Sequence, residues 1–524
     1  MNQRPICRLL AVVVLGLALG AQSAPLLAQS GLQATGIFEG QSDIGSVVPP
    51  GAAAYDPAKD VYTITSAGAN TWYRVDGAHF LWKKVSGDVS LTAEIGFPPV
   101  AYGHDPNPHR KGILMFRQSL DAGGVTVAAA LHGSGMTALQ YRREKGANMQ
   151  DIELNIDGPK TLRLEKRGDL WTMFLSMKGE PLHQVGASVK LHLDAPFYVG
   201  LAVTSHDVGT TDKVVFSNVK LQPLDGPVAS AKAVVVSTLQ QIQIQDQFRR
   251  AMVILSKPGV FESPNWSPDG KSMLINENGR FWKIPVLDPP AGGVPQPFDT
   301  GRATGCWGEH GYSPDGKWLA ISCRATKKGG PDVFVVPSEG GAARQLTHHP
   351  ISFFHGWSPD GKTIVYTSIR DGHEDIYTIP VAGGAETRLT TTGINDGAEF
   401  TPDGAFIYFN SDRSGLMQIW RMHPDGSGLE QITDDDYNNW YPHFSPDGKQ
   451  MAILSYDKSE TGLHPPMKDV ALRLMSMGEG SIATLVNLFG GQGTLDSPSW
   501  ALDSKHLAFV SNQMLPAGDA RSSQ

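Results

Sequence analysis

From about residue 260 onward, apolar and polar positions alternate in short runs, and the same kind of turn cuts them again and again. One unit shows the pattern. Trp357 ends an apolar run, and Pro359-Asp360-Gly361 follows as turn chemistry. Pro presets one backbone dihedral there, and Gly accepts a conformation that other residues avoid. TIVYTSI (363–369) alternates and is rich in β-branched residues, which predicts a strand. RDGHED predicts a turn, DIYTIPV a third strand, AGG a turn and ETRLT a fourth strand. One four-stranded sheet has two apolar faces and cannot bury both, so neighbouring units must stack and the array must close.

The turn recurs as WSPDGK (Trp266–Lys271), YSPDGK (Tyr312–Lys317), WSPDGK (Trp357–Lys362), FTPDGA (Phe400–Ala405), FSPDGK (Phe444–Lys449) and the degenerate WALDSK (Trp500–Lys505). The second residues of these anchors are spaced by 46, 45, 43, 44 and 56 positions. A period near 40–45 belongs to four-stranded propeller blades. The sixth unit has only PSWALDS and HLAFVSN before the chain ends, whereas STLQQIQIQ (Ser237–Gln245) and AMVILS (Ala251–Ser256) stand unclaimed before the first anchor. The expectation is that these complete the last blade, giving a six-bladed β-propeller over 237–515 whose two chain ends are joined by hydrogen bonds. Residues 516–524 form a tail.

These units resemble the WD40-like propeller repeats of the TolB family of periplasmic proteins, over about residues 230–515. HGWSPDG, SDRSGLMQIWRMHPDGS, NNWYPHFSPDGK, KDVALRLM and LFGGQGTLDSPSW are similar to stretches of a recurrent secreted TolB-like subgroup. The resemblance implies six blades and fixes no activity, because propellers host enzymes, receptors and scaffolds alike.

The first half lacks the repeat. Its runs DVSLTAEIGF, GILMFRQS, GVTVAAALHG, KTLRLEKRGDLWTMFLSM, FYVGLAVTSHD and KVVFSNVKL, separated by turns such as KRGD and HGSG, predict an all-β sandwich over 31–224. WYRVDGAHFLWKKVSGD followed by GLAVTSHD and VVFSNVKL resembles concanavalin A-like, laminin-G-like jelly-roll domains, in which a sandwich face often binds glycans. This departs from TolB proper, whose partner domain is α/β. Residues 225–236, small and Pro-containing, read as a linker.

Composition narrows the function. With 40% hydrophobic residues a core can be buried, and 44 Lys+Arg against 52 Asp+Glu (net charge -8) disfavour a nucleic-acid binder, which needs a basic face to replace counterions. Residues 1–30 carry Arg4 and Arg8, an apolar run from Leu9 to Ala21 and small residues after it, the order of a secretory signal peptide. The run is short for a membrane span, no later segment is long and apolar enough, and the mature chain is expected to be periplasmic or secreted. Cys306 and Cys323 flank one SPDG turn. A cross-strand disulfide is feasible there, and two reduced buried thiols are the alternative.

GWSPDGKT (Gly356–Thr363) fits the phosphate-loop pattern, but a strand rather than a helix follows it, and its sister units lack the full match. Arg167-Gly168-Asp169 reads as a hairpin turn. No nucleophile-elbow, zincin or CxxC motif is present. The histidines carry more information. In a blade, the loop entering the innermost strand shares one face with the loop between the second and third strands. Three positions before each anchor serine or its equivalent stand Pro264, His310, His355, Ala398, Pro442 and Pro498, so His310 and His355 are equivalents on adjacent blades. Asp396, Glu399, Trp440, Tyr441 and His443 come from the next entry loops, and the insertion Tyr456–Asp469 brings His464 and Lys468 over the same rim.

Two readings follow for this rim. In the first, a binding module engages a glycan or a cell-envelope protein, with Phe353, Phe354, Trp440 and Tyr441 as an aromatic rim. In the second, a carbohydrate-active enzyme, a metal-assisted polysaccharide lyase or a glycosidase, has its site there. His310, His355 and His443 would hold a divalent metal such as calcium or manganese, Arg413 or Arg473 would neutralise a uronate, and Lys468 or His464 would act as base. The plainer alternative is that these side chains are hydrogen-bonded loop scaffolding.

Overall fold

A computed structural model describes residues 35–515, apart from 100–105, 178–180, 225–233, 246–247, 287–292, 327–328, 350 and 461–463. The predicted signal peptide, most of the linker and the tail lie outside the described residues. Among the described residues every regular element is a strand, and no helix is long and apolar enough to cross a membrane.

Two antiparallel sheets make up the N-terminal half. One runs His183–Lys190, Leu170–Ser176, Thr161–Arg167, Val89–Gly96, Asp212–Pro223, Val61–Ser66, Ala52–Asp56 in space. The other begins Gly40–Ile44, Ala78–Val85, Phe197–Thr204, Lys111–Arg117, Thr126–His132, Thr137–Arg142, Gln150–Glu153. Alternate residues of both face one core, in which Ile64, Leu91, Phe116, Leu164, Trp171 and Phe216 are fully buried. The opposite face of the second sheet is not open to solvent. Arg117 and Arg142, wholly buried, converge on Asp76 at 3.1 and 2.7 Å. Arg142 also donates to the carbonyls of Ala147 and Gly124, and Arg117 to those of Ser119 and Asp121. The loops around residues 73–76, 119–124 and 147 are thereby tied down over that outer face.

The second half contains five four-stranded antiparallel sheets, with innermost strands Phe261–Trp266, His310–Tyr312, Ser352–Trp357, Asn395–Phe400 and Tyr437–Phe444. The repeated turn has one geometry throughout. In the third blade Ser358 Oγ donates to Asp360 Oδ1 at 2.6 Å, Lys362 N donates to the same oxygen at 3.0 Å, and Thr363 N donates back to Ser358 Oγ at 2.9 Å. Gly361 takes φ 69°, the left-handed region. The same set recurs at Ser267/Asp269, Ser313/Asp315, Thr401/Asp403 and Ser445/Asp447, which is why the sequence repeats there. Indole donors stitch blade to blade: Trp357 Nε1 reaches Gly311 O at 2.9 Å and Trp500 Nε1 reaches His443 O at 3.0 Å.

The chain ends meet as expected. Val234–Gln245 pairs antiparallel with His506–Leu515, placing Leu239 opposite Val510 and Ile242 opposite Leu507, and on its other side with Phe248–Pro258. The strand begins at Val234, so the last three positions of the expected linker belong to it. The expected sixth blade, however, is not a separate four-stranded sheet. Its three long strands continue the second N-terminal sheet into one ten-stranded sheet, because Gln150–Glu153 pairs parallel with Phe248–Pro258. Its innermost position is reduced to a single bridge between Trp500 and Leu507. Arg250 pairs with Glu153 at 2.9 Å, Gln513 donates to Thr172 Oγ1 at 2.6 Å, and Lys190 pairs with Asp469, so the two halves are joined by backbone and side chains alike.

Candidate functional site

Four of the five innermost strands share a defect. Register shifts occur between Glu262 and Asn265, Phe354 and Gly356, Asp396 and Glu399, and Trp440 and His443. Ser263, Gly397 and Tyr441, four positions before their anchor residues, all have positive φ. Such bulges re-aim side chains. The residue just before, five positions ahead of the anchor, is Glu262, Gly308, Phe353, Asp396, Trp440 or Asp496 in the six units. Three of these six are carboxylates.

Side chains at the mouth enclose a cavity of about 180 Å³. Trp307, Phe353 and Trp440 are its aromatic walls, Glu309, Glu374 and Asp396 its carboxylates, and His355 and His464 its imidazoles. No Lys or Arg lines it among the described residues. Asp396 lies 2.7 Å from His355 Nε2 and 3.6 Å from His464 Nε2. His464 Nδ1 also meets the Tyr441 hydroxyl at 3.1 Å, and its ring sits edge-on to Trp440 at 4.3 Å. The Cys306–Cys323 disulfide does form. It fastens the loop that carries Trp307 and Glu309 to the neighbouring strand, and with its ends 17 positions apart in sequence it restricts that loop in the unfolded chain as well.

Of the expected site residues, Phe353, His355, Asp396, Trp440 and His464 line the cavity, and Tyr441 backs it through His464. The others are elsewhere. His310 turns between blades, its Nδ1–H donating to Gly308 O and its ring edge-on to Phe281 at 4.8 Å. Burial pushes its imidazole down to about 4, so it stays neutral. His443 has both nitrogens engaged, at 2.6 Å to Glu399 and 2.9 Å to the Leu495 carbonyl, and Glu399 is held further by Phe444 N. The expected metal set His310, His355, His443 is therefore not assembled. Among the described residues no group of three or more His, Cys, Asp or Glu is spaced to hold a metal ion, calcium and manganese included. The expected catalytic set is dispersed too. Arg413 donates to Ser411 and Asn395 above the Phe409 and Trp420 rings, Arg473 binds Asp435 at 2.6 Å, and Lys468 binds Glu460 at 2.7 Å. Only His464 of that set reaches the cavity.

Glu309 and Glu374, which the three-residue register count does not reach, are the less satisfied carboxylates. Burial pushes the Glu374 carboxyl up to about 8, with Asp396, Asp412 and Asp375 adding to it. Burial, with Asp496, Glu262 and Asp396, drives Glu309 well above the carboxylate range, against one backbone hydrogen bond. Glu262, behind the cavity, is pushed to about 8 by burial and Asp496. Asp496 is itself raised by burial, although Ser263 Oγ donates to it at 2.5 Å. Asp396 goes the other way. Burial raises it, but its close contacts with His355 and His464 outweigh burial and hold it below the usual range.

These directions fix a pH dependence. A carboxyl whose folded value lies above its unfolded one binds more protons when folded. Its contribution is present below about pH 4.5 and is lost as pH rises toward 8. Thermal melts are therefore expected to show this contribution falling away between about pH 4.5 and 8. The double variant Glu309→Gln/Glu374→Gln should flatten that slope, with Asp151 (raised to about 7 by burial) and Glu262 supplying what remains. Each kcal/mol recovered corresponds to roughly 2–4 °C. Identical slopes in parent and variant would contradict the assignment.

A family model described as the TolB beta propeller domain matches residues 297–395 and 351–484. An uncharacterized protein of Agrobacterium fabrum is 46% identical over 263 residues, which are 50% of this chain and 88% of that protein. The solved structure of a putative TolB from Agrobacterium tumefaciens is 44% identical and superposes with a TM-score of 0.50, covering 53% of this chain and 99% of its own. TolB from Acinetobacter baumannii is 18% identical, with a TM-score of 0.38 over 49% of this chain and 65% of its own.

Proposed function

Because this chain belongs to the TolB-type β-propeller family, we propose that it is a periplasmic or secreted binding module that docks a protein of the cell envelope at its mouth cavity. The observation that supports this most is the cavity itself: aromatic side chains from three blades stand around buried polar groups, with the chemistry of a docking pocket. The residues that a lyase would need lie apart, each engaged with a structural partner. Loops cover the outer face of the second N-terminal sheet, so a glycan subsite on that half would have to use another surface.

Two architectural readings belong with this proposal. The three strands that join the chain ends, with the Trp500–Leu507 bridge, serve as the sixth vane of the ring. The N-terminal pair of sheets is a jelly roll of the concanavalin A type whose role is to hold that vane. The secretory reading of residues 1–30 supplies the compartment.

The test is site-specific photo-crosslinking in cells. A photoreactive residue at Phe353, on the cavity rim, should capture a small set of envelope proteins. The same residue at Trp318, which is 42% exposed beside a repeated turn, should not. Equal capture at both positions, or none at Phe353, would defeat the docking reading.

A further inference from the structure

The mouth cavity is unbalanced in charge. Its lining carries three carboxylates and two imidazoles and no Lys or Arg among the described residues. The Asp396 charge is answered by His355 and His464. Glu309 is not answered: it is only 4% exposed, and its Oε2 has no hydrogen-bond partner. An acceptor left like this costs free energy in the empty protein. The wall beside it is closely built. A Cβ on Gly308 would approach Ser263 Oγ to 2.1 Å and Asp496 Oδ2 to 2.9 Å, so only glycine lets the Glu309 loop lie against the Asp496 side.

The aromatic lining has its own polarity. Trp307 and Phe353 stand edge-to-face with centroids 6.2 Å apart, and Trp440 closes another side. Ring faces attract cations and tolerate aliphatic chain. Carboxylate plus ring face is the environment that suits an alkylammonium. The volume, about 180 Å³, suits a short aliphatic chain ending in one charge.

We propose that the cavity binds the primary ammonium of a lysine side chain presented by the docked protein, with Glu309 and Glu374 as counter-charges and the aromatic walls around the methylenes. This deepens the docking reading and rests on it for the identity of the carrier. Binding draws the two carboxyls back to their ionised form, so it releases protons. The groups facing Glu309 are Asp496, Glu262 and Asp396, those facing Glu374 are Asp396, Asp412 and Asp375, and His355 and His464 face Asp396. Affinity therefore rises between pH 6.5 and 8.5, because each of the two carboxyls is easier to ionise there while the lysyl amine stays protonated.

The experiment is calorimetric titration of the full chain with Nα-acetyl-lysine methylamide, with its Nε-acetylated form as neutral counterpart, and with calcium chloride. The expected result is saturable binding of the amine, at least ten-fold weaker binding of the acetylated form, and at least ten-fold weaker amine binding by Glu309→Gln/Glu374→Gln. That variant should melt no lower than the parent, because it removes two buried acids. Glu309→Gln alone should show an intermediate loss, and Lys317→Ala, on an exposed turn, no change. Equal binding of the acetylated probe, unchanged binding by the double variant, or saturable calcium binding that the double variant abolishes without any response to amine would each overturn the proposal. Failure here is separable from failure of docking. Crosslinking at Phe353 without an amine response sinks the ammonium assignment alone, whereas amine binding without crosslinking sinks the docking reading alone.

Discussion

Removing Val234–Pro258 is expected to abolish cooperative folding of the propeller half, not merely to lower its melting temperature. Among the described residues the segment supplies the only long partner of His506–Leu515, with ten residue pairs from Val234↔Leu515 to Gln243↔His506. Without it that strand becomes an open edge facing solvent, a template for pairing with other chains. The segment also buries Val236, Leu239, Ile242, Val253 and Ile254. At about 1.5–3 kcal/mol for each such side chain, the loss is roughly 10 kcal/mol. That is the size of a whole domain's stability, about 5–15 kcal/mol. Far-UV circular dichroism melts and size-exclusion chromatography check it: the expected product is aggregated or melts without a sharp transition. A soluble monomer with a cooperative melt within a few degrees of the parent would show that the ring does not depend on this junction.

That junction was legible because it is a matter of arithmetic. Two strands were missing at one end and two stood unclaimed at the other, and a closed ring needs its last blade completed. The merging of this junction with the N-terminal sheet had no comparable signal. It rests on Gln150–Glu153, a four-residue strand with three residues paired in parallel, and short parallel pairing leaves no turn and no period in the sequence. The polar side chains there, Asp151 and Glu153 against Arg250, look like ordinary surface charges until the sheet that buries them is known.

The candidate site was legible by face but not by residue. Counting blades put His355, Asp396, Trp440 and His464 at one mouth, where they are found. The count picked His310 as the twin of His355, yet the two side chains diverge. His355 is the unpaired residue inside the register shift of its strand and meets Asp396, while His310 sits in a three-residue strand and packs on Phe281. A bulge moves the cavity-facing role to neighbouring positions, and the anchors themselves give no sign of it. Reading five positions ahead of each anchor, where Glu262, Asp396 and Asp496 recur, would have exposed the acidic character of the channel. Glu374 arrives from the start of a third strand, outside any entry-loop count.

Asp76→Ala is expected to cost about 3–5 kcal/mol, the usual penalty for stripping the partner from a buried charge. Here one carboxylate serves two guanidinium groups, and all three side chains are fully buried. Its loss leaves two cations under the loops that cover the N-terminal sheet face. At roughly 2–4 °C per kcal/mol, the fall in melting temperature is about 6–20 °C. Lys145→Ala breaks a pair with Asp121 whose members are 72% and 57% exposed, and should change stability by no more than about 0.5 kcal/mol. The substitution also tests why the face is closed. If the ion cluster holds the loops down, proteolysis of Asp76→Ala should open near residues 119–124 before the propeller is cut, and the parent should resist. A variant that melts with the parent and shows no new cleavage would mean that the arginines are held well enough by the carbonyls of Tyr73, Ser119, Asp121, Ala122, Gly124 and Ala147. The covering loops would then be fixed by backbone geometry and not by charge.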